Sequence, residues 1–247
     1  MIPSSIKLPH LTTEQMVEVD RAMIEDFRIE LIQMMENAGR NLASLARQRF
    51  FDGNPVGKKV VVLSGTGGNG GGSLVAARRL HNWGATVAVF TTKSAPDFTP
   101  VPAHQLDILH RMKVSVSEAG VPGEEDNPDL ILDGVIGYSL KGAPRGAAAD
   151  LIRWANAQHE RGVPILALDA PSGVDTTTGT VFDPAIRATA TMTLALPKEG
   201  LRQKGVEERV GELYLADISV PPGLYSEPAL ALSVGHLFAE EDVIRLR

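Results

Sequence analysis

Cysteine is absent from this chain of 247 residues. Its absence removes disulfides, thiolate zinc sites and a cysteine nucleophile together, and is compatible with a cytoplasmic location. Positive charge is not in excess either. Lys and Arg number 24 against 30 Asp and Glu, a formal charge of −6. No basic patch or block of like charge stands out, which disfavours nucleic-acid binding. No apolar run approaches the roughly 18 residues of a membrane span, so no membrane partner is expected. Met1-Ile2-Pro3-Ser4-Ser5 lacks the basic and apolar regions of a signal peptide. Internal repeats and low-complexity segments are also missing. What remains is an ordinary globular composition, 43% hydrophobic and 22% charged, long enough for one large α/β domain or two small ones.

The most informative stretch present is the apolar run from Val60 to Ser64, followed by Gly65-Thr66-Gly67-Gly68-Asn69-Gly70-Gly71-Gly72-Ser73. It predicts a strand, a glycine loop and a helix over 74–83, with Ser73 as N-cap and Gly84 at C′. That layout aims backbone N–H groups and a positive helix end at an anion. Glycine is expected there for close approach and for φ > 0. Gly65-x-Gly67-x-x-Gly70 matches the dinucleotide fingerprint, but the next strand ends in Thr91-Thr92-Lys93 without the ribose-binding acid. A P-loop would need a lysine where Gly72-Ser73 stands.

Along the chain, Thr12-x-x-Gln15 reads as a capping box that opens a helix to about Ile24. A second helix covers about 31–50, with Ile32, Met35, Leu42 and Leu45 on one face. Both precede the first strand, so they pack outside the βα core or form a subunit interface. Strands are predicted at 59–64, 86–91, 113–117, 129–132, 163–168, 188–194 and 212–216, with helices at 74–83, 102–111 and 146–159. A proline-marked tail leads to a short helix near 240–246. Alternating elements with continuous Val/Ile/Leu strands imply a mainly parallel, doubly covered sheet. In such sheets ligands sit beyond the carboxyl ends of the strands. The glycine loop, Asp133, Asp169 and Lys198 all fall at such ends. Two carboxylates, an ammonium and an anion cradle would therefore meet at one edge.

Read together, Thr12-Thr13-Glu14-Gln15-Met16, Met35-Glu36-Asn37-Ala38-Gly39, the glycine loop, Asp169-Ala170-Pro171-Ser172-Gly173-Val174-Asp175 and Pro197-Lys198-Glu199-Gly200 resemble the YjeF N-terminal domain family. The resemblance runs in order from about residue 10 to about 220. It implies an α/β, Rossmann-like three-layer sandwich with a mainly parallel sheet and two N-terminal helices packed outside. One domain would span 1–247, with no C-terminal dehydratase domain.

The implied activity is NAD(P)H-hydrate epimerase, interconverting the R and S epimers of hydrated NADH and NADPH at C6. The resemblance further implies a homodimer coupled functionally to a separate dehydratase. A potassium ion would be held by Asn69, Asp133 and Ser172. The nucleotide would contact Gly68, Asn69, Gly70, Gly71 and Gly72, the segment Gly137, Tyr138, Ser139, Leu140, Lys141, Gly142 and Ala143, and Asp169. Asp169 and Lys198 would transfer protons. Epimerising a carbon that bears a hydroxyl beside a ring nitrogen needs reversible C–O cleavage or ring opening, and hence a positioned acid/base pair. The family loop usually reads Gly-Asn-Asn-Gly-Gly-Asp-Gly, so Gly68 and Gly72 replace an asparagine and an aspartate. The second loop usually reads Gly-Thr-Gly-Leu, where this chain has Gly137-Tyr138-Ser139-Leu140. The alternative these changes raise is a module that keeps the fold but serves as a nucleotide-binding, interaction or scaffold protein.

Overall fold

The computed structural model describes residues 8–123 and 126–247, and the reading of Met1-Ile2-Pro3-Ser4-Ser5 lies outside them. Two helices, α1 (Thr13–Glu25) and α2 (Leu31–Phe50), precede β1 (Lys59–Ser64), α3 (Gly68–Asn82), β2 (Thr86–Thr91), α4 (Pro100–Arg111) and β3 (Ser115–Ser117). Then come β4 (Leu130–Gly134), α5 (Ala147–Glu160), β5 (Ile165–Leu168), β6 (Ala190–Leu194), α6 (Glu207–Val210), β7 (Glu212–Ala216), α7 (Pro222–Tyr225) and β8 (Val243–Arg245). The strands form one sheet in the order β3-β2-β1-β4-β5-β6-β7-β8. The first seven are parallel, and β8 pairs antiparallel with β7.

Alternation along each strand divides the core into two faces. Val60, Val62, Leu130, Leu132 and Leu166 pack with Leu42 and Ala46 of α2, Leu74 and Leu80 of α3, and Leu106 and Leu109 of α4. Val61, Leu63, Ile131, Ile165 and Ala167 pack with Leu151, Ile152 and Ala155 of α5. The result is the expected three-layer sandwich. Burying each such Val, Leu or Ile contributes roughly 1.5–3 kcal/mol. Helix α1 packs instead on α2 and on the C-terminal region, through Met16, Val19 and Met23 against Ile218, Leu224 and Tyr225.

The glycine loop differs from expectation. The helix begins at Gly68 with Gly67 as N-cap, five residues before Ser73. Ser73 is buried within it and donates its hydroxyl to the Gly70 carbonyl at 2.7 Å. None of the glycines from Gly65 to Gly72 has positive φ. Close packing is what requires Gly65, Gly70, Gly71 and Gly72, whereas Gly67 and Gly68 have open space where a Cβ would point. A Cβ on Gly70 would fall 2.6 Å from the carbonyl carbon of Gly65. On Gly71 it would meet Cε of Met35 at 2.6 Å, and on Gly72 it would meet Cδ2 of Leu168 at 2.8 Å. At the other end, Gly84 does take φ +92°. Its N–H reaches the His81 carbonyl and that of Ala85 reaches Leu80, closing a Schellman cap.

The tail also departs from expectation, because 243–245 form edge strand β8 and not a helix. The open side of β7 offers these residues a ready ladder. Ile244 is buried opposite Leu215.

Candidate functional site

The sheet order reverses between β1 and β4, which opens a crevice at their carboxyl ends. Asn69 stands in the first turn of α3 on one side of it, and Asp133 ends β4 on the other. The next two strands deliver Asp169 directly after β5 and Lys198 four residues after β6. Asp133, Asp169 and Lys198 thus come from neighbouring strands and Asn69 from the helix after β1, all at one edge.

Asp133 is fully buried. Its Oδ1 accepts the Ser172 hydroxyl at 2.6 Å and the Val135 N–H at 3.2 Å, and its Oδ2 accepts the Ser172 N–H at 2.8 Å. No ion pair within 4 Å involves it among the described residues. Burial dominates these hydrogen bonds and pushes its carboxyl up to about 6. The Ser172 hydroxyl also accepts the Ile136 N–H at 2.8 Å, tying the following loop to the same carboxylate. Beside this pair, Nδ2 of Asn69 is buried with no hydrogen-bond partner among the described residues. An amide, a carboxylate and a hydroxyl form an all-oxygen donor set suited to a hard cation. A cation would also supply the counter-charge that Asp133 lacks.

Lys198 has no exposed surface, and Asp169 is 4% exposed. The ammonium donates to Oδ1 of Asp169 at 2.5 Å, to the Leu194 carbonyl at 2.7 Å and to Oγ1 of Thr193 at 3.3 Å, using its three protons. Asp169 sits at φ +65°, a left-handed conformation that aspartate tolerates better than most residues. Its Oδ2 accepts the Tyr138 N–H at 3.3 Å.

Of these groups Asn69 and Asp169 line a cavity of about 340 Å³, whereas Asp133, Ser172 and Lys198 are fully buried and not among its lining residues. One wall is polar, with Gly68, Asn69, Gly137, Tyr138, Ser139 and Asp169. The other is apolar and comes from α1 and α2, including Met16, Met34 and Met35. Of the segment assigned to nucleotide binding, Gly137, Tyr138 and Ser139 line the cavity, while Leu140, Lys141, Gly142 and Ala143 continue away from it. Gly70, Gly71 and Gly72 are likewise beneath the wall, since their missing side chains make room for Gly65, Met35 and Leu168. Gly68 has open space where a Cβ would point.

One polar group in the cavity escaped the sequence reading. Asp20 of α1 accepts the Tyr138 hydroxyl at 2.5 Å. Burial raises its pKa, opposed by the hydrogen bond from Tyr138 and the charge of Lys198. Burial likewise raises the Tyr138 phenol. A signal was present, since Asp20 lies four residues after Met16 and so shares the apolar face of α1.

Residues 31–200 match the model of the family described as YjeF-related protein N-terminus. The chain is 41% identical over 220 residues to the NAD(P)H-hydrate epimerase of Dehalogenimonas lykanthroporepellens, covering 89% of this chain and 86% of that one. It is 31% identical to the NAD(P)H-hydrate epimerase of Rhodopirellula baltica, over 90% of this chain and 88% of that protein. A bifunctional NAD(P)H-hydrate repair enzyme of Moorella thermoacetica is 34% identical over 87% of this chain, which spans 41% of its length. The crystal structure of yeast ynu0 (YNL200c) matches with a TM-score of 0.80 at 24% identity, over 97% of this chain and all of that one, a likeness of fold.

Proposed function

Since the chain belongs to the YjeF-related N-terminal family, we propose that it is an NAD(P)H-hydrate epimerase, an isomerase that interconverts the R and S epimers of hydrated NADH and NADPH. The names of relatives at 31% and 41% identity over most of both chains support this. The observation that carries the chemistry is the buried Lys198–Asp169 pair, 2.5 Å apart, whose Asp169 lines a cavity that also has an apolar side while Lys198 is fully buried against it. A nicotinamide-derived ring suits the methionine-rich wall, and its C6 hydroxyl suits the polar one.

Protonation of that hydroxyl lets it leave as water while the ring-nitrogen lone pair forms a C=N bond. Water returns to either face and gives its proton back. Lys198 and Asp169 together hold one movable proton beside this carbon, and each stabilises the charge the other acquires. Walls that exclude bulk water keep those charges effective.

Asn69, Asp133 and Ser172 would hold potassium through their side-chain oxygens, and the buried Asp133 carboxylate, which has no ion-pair partner among the described residues, supports that assignment. Bound there, the ion would neutralise Asp133 and attract the anionic nucleotide. The free N–H groups at the start of α3 suit a phosphate in the same place. The differences at Gly68 and Gly72 leave this reading standing, because Gly72 is beneath the cavity wall and Gly68 adds space to it. A homodimer is the proposed assembly, supported by the exposed Val17, Ile24 and Phe27 at α1. A dehydratase that consumes one epimer is the proposed metabolic partner, supported by the bifunctional relative. Among the described residues no helix is long and apolar enough to cross a membrane, and a cytoplasmic location is proposed with the substrate.

The decisive experiment follows R-to-S conversion of hydrated NADH by the purified protein, with and without potassium. Conversion above the spontaneous rate that disappears in Lys198→Met is the expected result. Conversion at the spontaneous rate under both conditions would reject the reading.

A further inference from the structure

Helix α1 precedes the residues that match the family model, which begin at 31. The helix and the residues that lead into it are nevertheless linked to both members of the Lys198–Asp169 pair, to the lysine through Leu11 and to the aspartate by way of Tyr138. On the lysine side, Leu11 forms a parallel bridge with Lys198, its N–H donating to the Pro197 carbonyl at 2.8 Å and its carbonyl accepting the Glu199 N–H at 2.9 Å. The Thr12 capping box then starts the helix. On the aspartate side, Asp20 accepts the Tyr138 hydroxyl at 2.5 Å, and the Tyr138 N–H donates to Oδ2 of Asp169 at 3.3 Å. The first turn is fixed independently. Thr13 donates its N–H to Oγ1 of Thr177 at 2.8 Å, and its hydroxyl lies 3.0 Å from that of Thr176. Both threonines belong to the chain that leaves Asp169.

Among the described residues the Tyr138 hydroxyl is the one side-chain hydrogen-bond partner of Asp20. A carboxylate on the apolar face of a helix is costly unless its hydrogen bonds are made. Asp20 stands one turn from Met16, which is 3% exposed, and next to Val19, which is fully buried. The phenol ring is long enough to span the cavity rim from the β4–α5 loop to α1, and it packs on the apolar cluster beneath that helix.

We propose that Asp20 and Tyr138 are positioning residues for the epimerisation site. Their hydrogen bond clamps the Gly137–Tyr138–Ser139 turn onto α1 and thereby holds Asp169 in the orientation that meets Lys198 and the bound ring. This rests on the epimerase reading for its kinetic consequence, but the clamp itself can be observed without substrate.

The test uses the whole protein and three variants. Tyr138→Phe keeps the ring and removes the hydroxyl, Asp20→Ala removes the acceptor, and Asp20→Asn keeps a neutral one. Steady-state conversion of hydrated NADH should show kcat about tenfold lower in Tyr138→Phe and in Asp20→Ala, with KM changed less than twofold. Asp20→Asn should recover at least half of the wild-type kcat, and the double variant Asp20→Ala/Tyr138→Phe should be no worse than either single. Amide hydrogen exchange over residues 135–140, without ligand, should quicken at least fivefold in the first two variants and less than twofold in Asp20→Asn.

Wild-type kcat in Tyr138→Phe, an effect confined to KM, or additive losses in the double variant would overturn the proposal. Unchanged exchange would do so even if the wild-type protein proved inactive on hydrated NADH. Quickened exchange in an inactive wild type would instead leave the clamp standing and reject the epimerase reading alone. Should Asp20→Ala fail to fold, Tyr138→Phe decides the matter.

Discussion

Replacing Lys198 by Met separates what the buried pair does for stability from what it does for catalysis. The ammonium has no solvent contact and makes three hydrogen bonds, one of them to Asp169. Removing it strands a carboxylate that is 4% exposed and keeps a single N–H donor, from Tyr138. Breaking a buried pair by losing one partner costs about 3–5 kcal/mol. For a chain of this size each kcal/mol moves Tm by about 2–4 °C, so Lys198→Met should melt about 6–20 °C below wild type. Asp169→Asn should also lose stability, because its single amide oxygen can accept from only one of the two donors and the Lys198 ammonium is left without a counter-charge; asparagine does tolerate φ +65°. The double variant Asp169→Asn/Lys198→Met holds no buried charge, and should regain more than half of the loss seen in Lys198→Met. All three should convert hydrated NADH about 10²–10⁴-fold more slowly. Calorimetry and the epimer assay on the same preparations provide the test. A double variant as unstable as the two losses added together would refute the electrostatic argument. A single variant within tenfold of wild-type activity would refute the catalytic one.

Asp133→Ala should weaken both monovalent-cation and nucleotide binding by roughly 1–3 kcal/mol, and titration calorimetry in potassium against choline would show no difference if the cation assignment is wrong. Gly70→Ala should fail to accumulate as folded protein, because its Cβ would meet the Gly65 backbone, whereas Gly68→Ala should melt near wild type; equal behaviour would count against close packing as the reason for the glycines. Gly72→Asp should lose about 1–3 kcal/mol from crowding Leu168, and Leu168→Ala in the same protein should relieve part of that crowding. Glu212 accepts two hydrogen bonds from Arg49 and one from Tyr214, and the first two chiefly draw its carboxyl down to about 2 from 4.5. The folded pKa is depressed, so its stabilisation is complete above pH 4.5 and lost as pH falls toward 2. Being partly exposed it is worth under about 1 kcal/mol, and Glu212→Gln should flatten that acid limb in urea titrations from pH 5 to 2.

The sequence determined the layers and the strand-end residues by itself. Apolar runs such as Val60-Val61-Val62-Leu63 can be buried on both faces only in a covered parallel sheet, and the strands at 59–64, 86–91 and 212–216 appear at the expected bounds. Asp133, Asp169 and Lys198 were legible because each follows such a run, and a parallel sheet delivers every strand end to the same side. Capping was local chemistry too, so Thr12 with Gln15 and Gly84 hold as read. The tertiary structure alone decided what the glycines do. Their number suggested an anion loop with positive φ, but a helix start among Gly65, Met35 and Leu168 demands Gly70, Gly71 and Gly72 for want of space, and sequence cannot tell a missing side chain needed for φ from one needed for room. It alone also turned 243–245 into a strand, since the open edge of β7 is a long-range partner. And it alone brought Asp20 to the cavity, because a hydrogen bond between residues 118 positions apart depends on how α1 lies across the finished sheet.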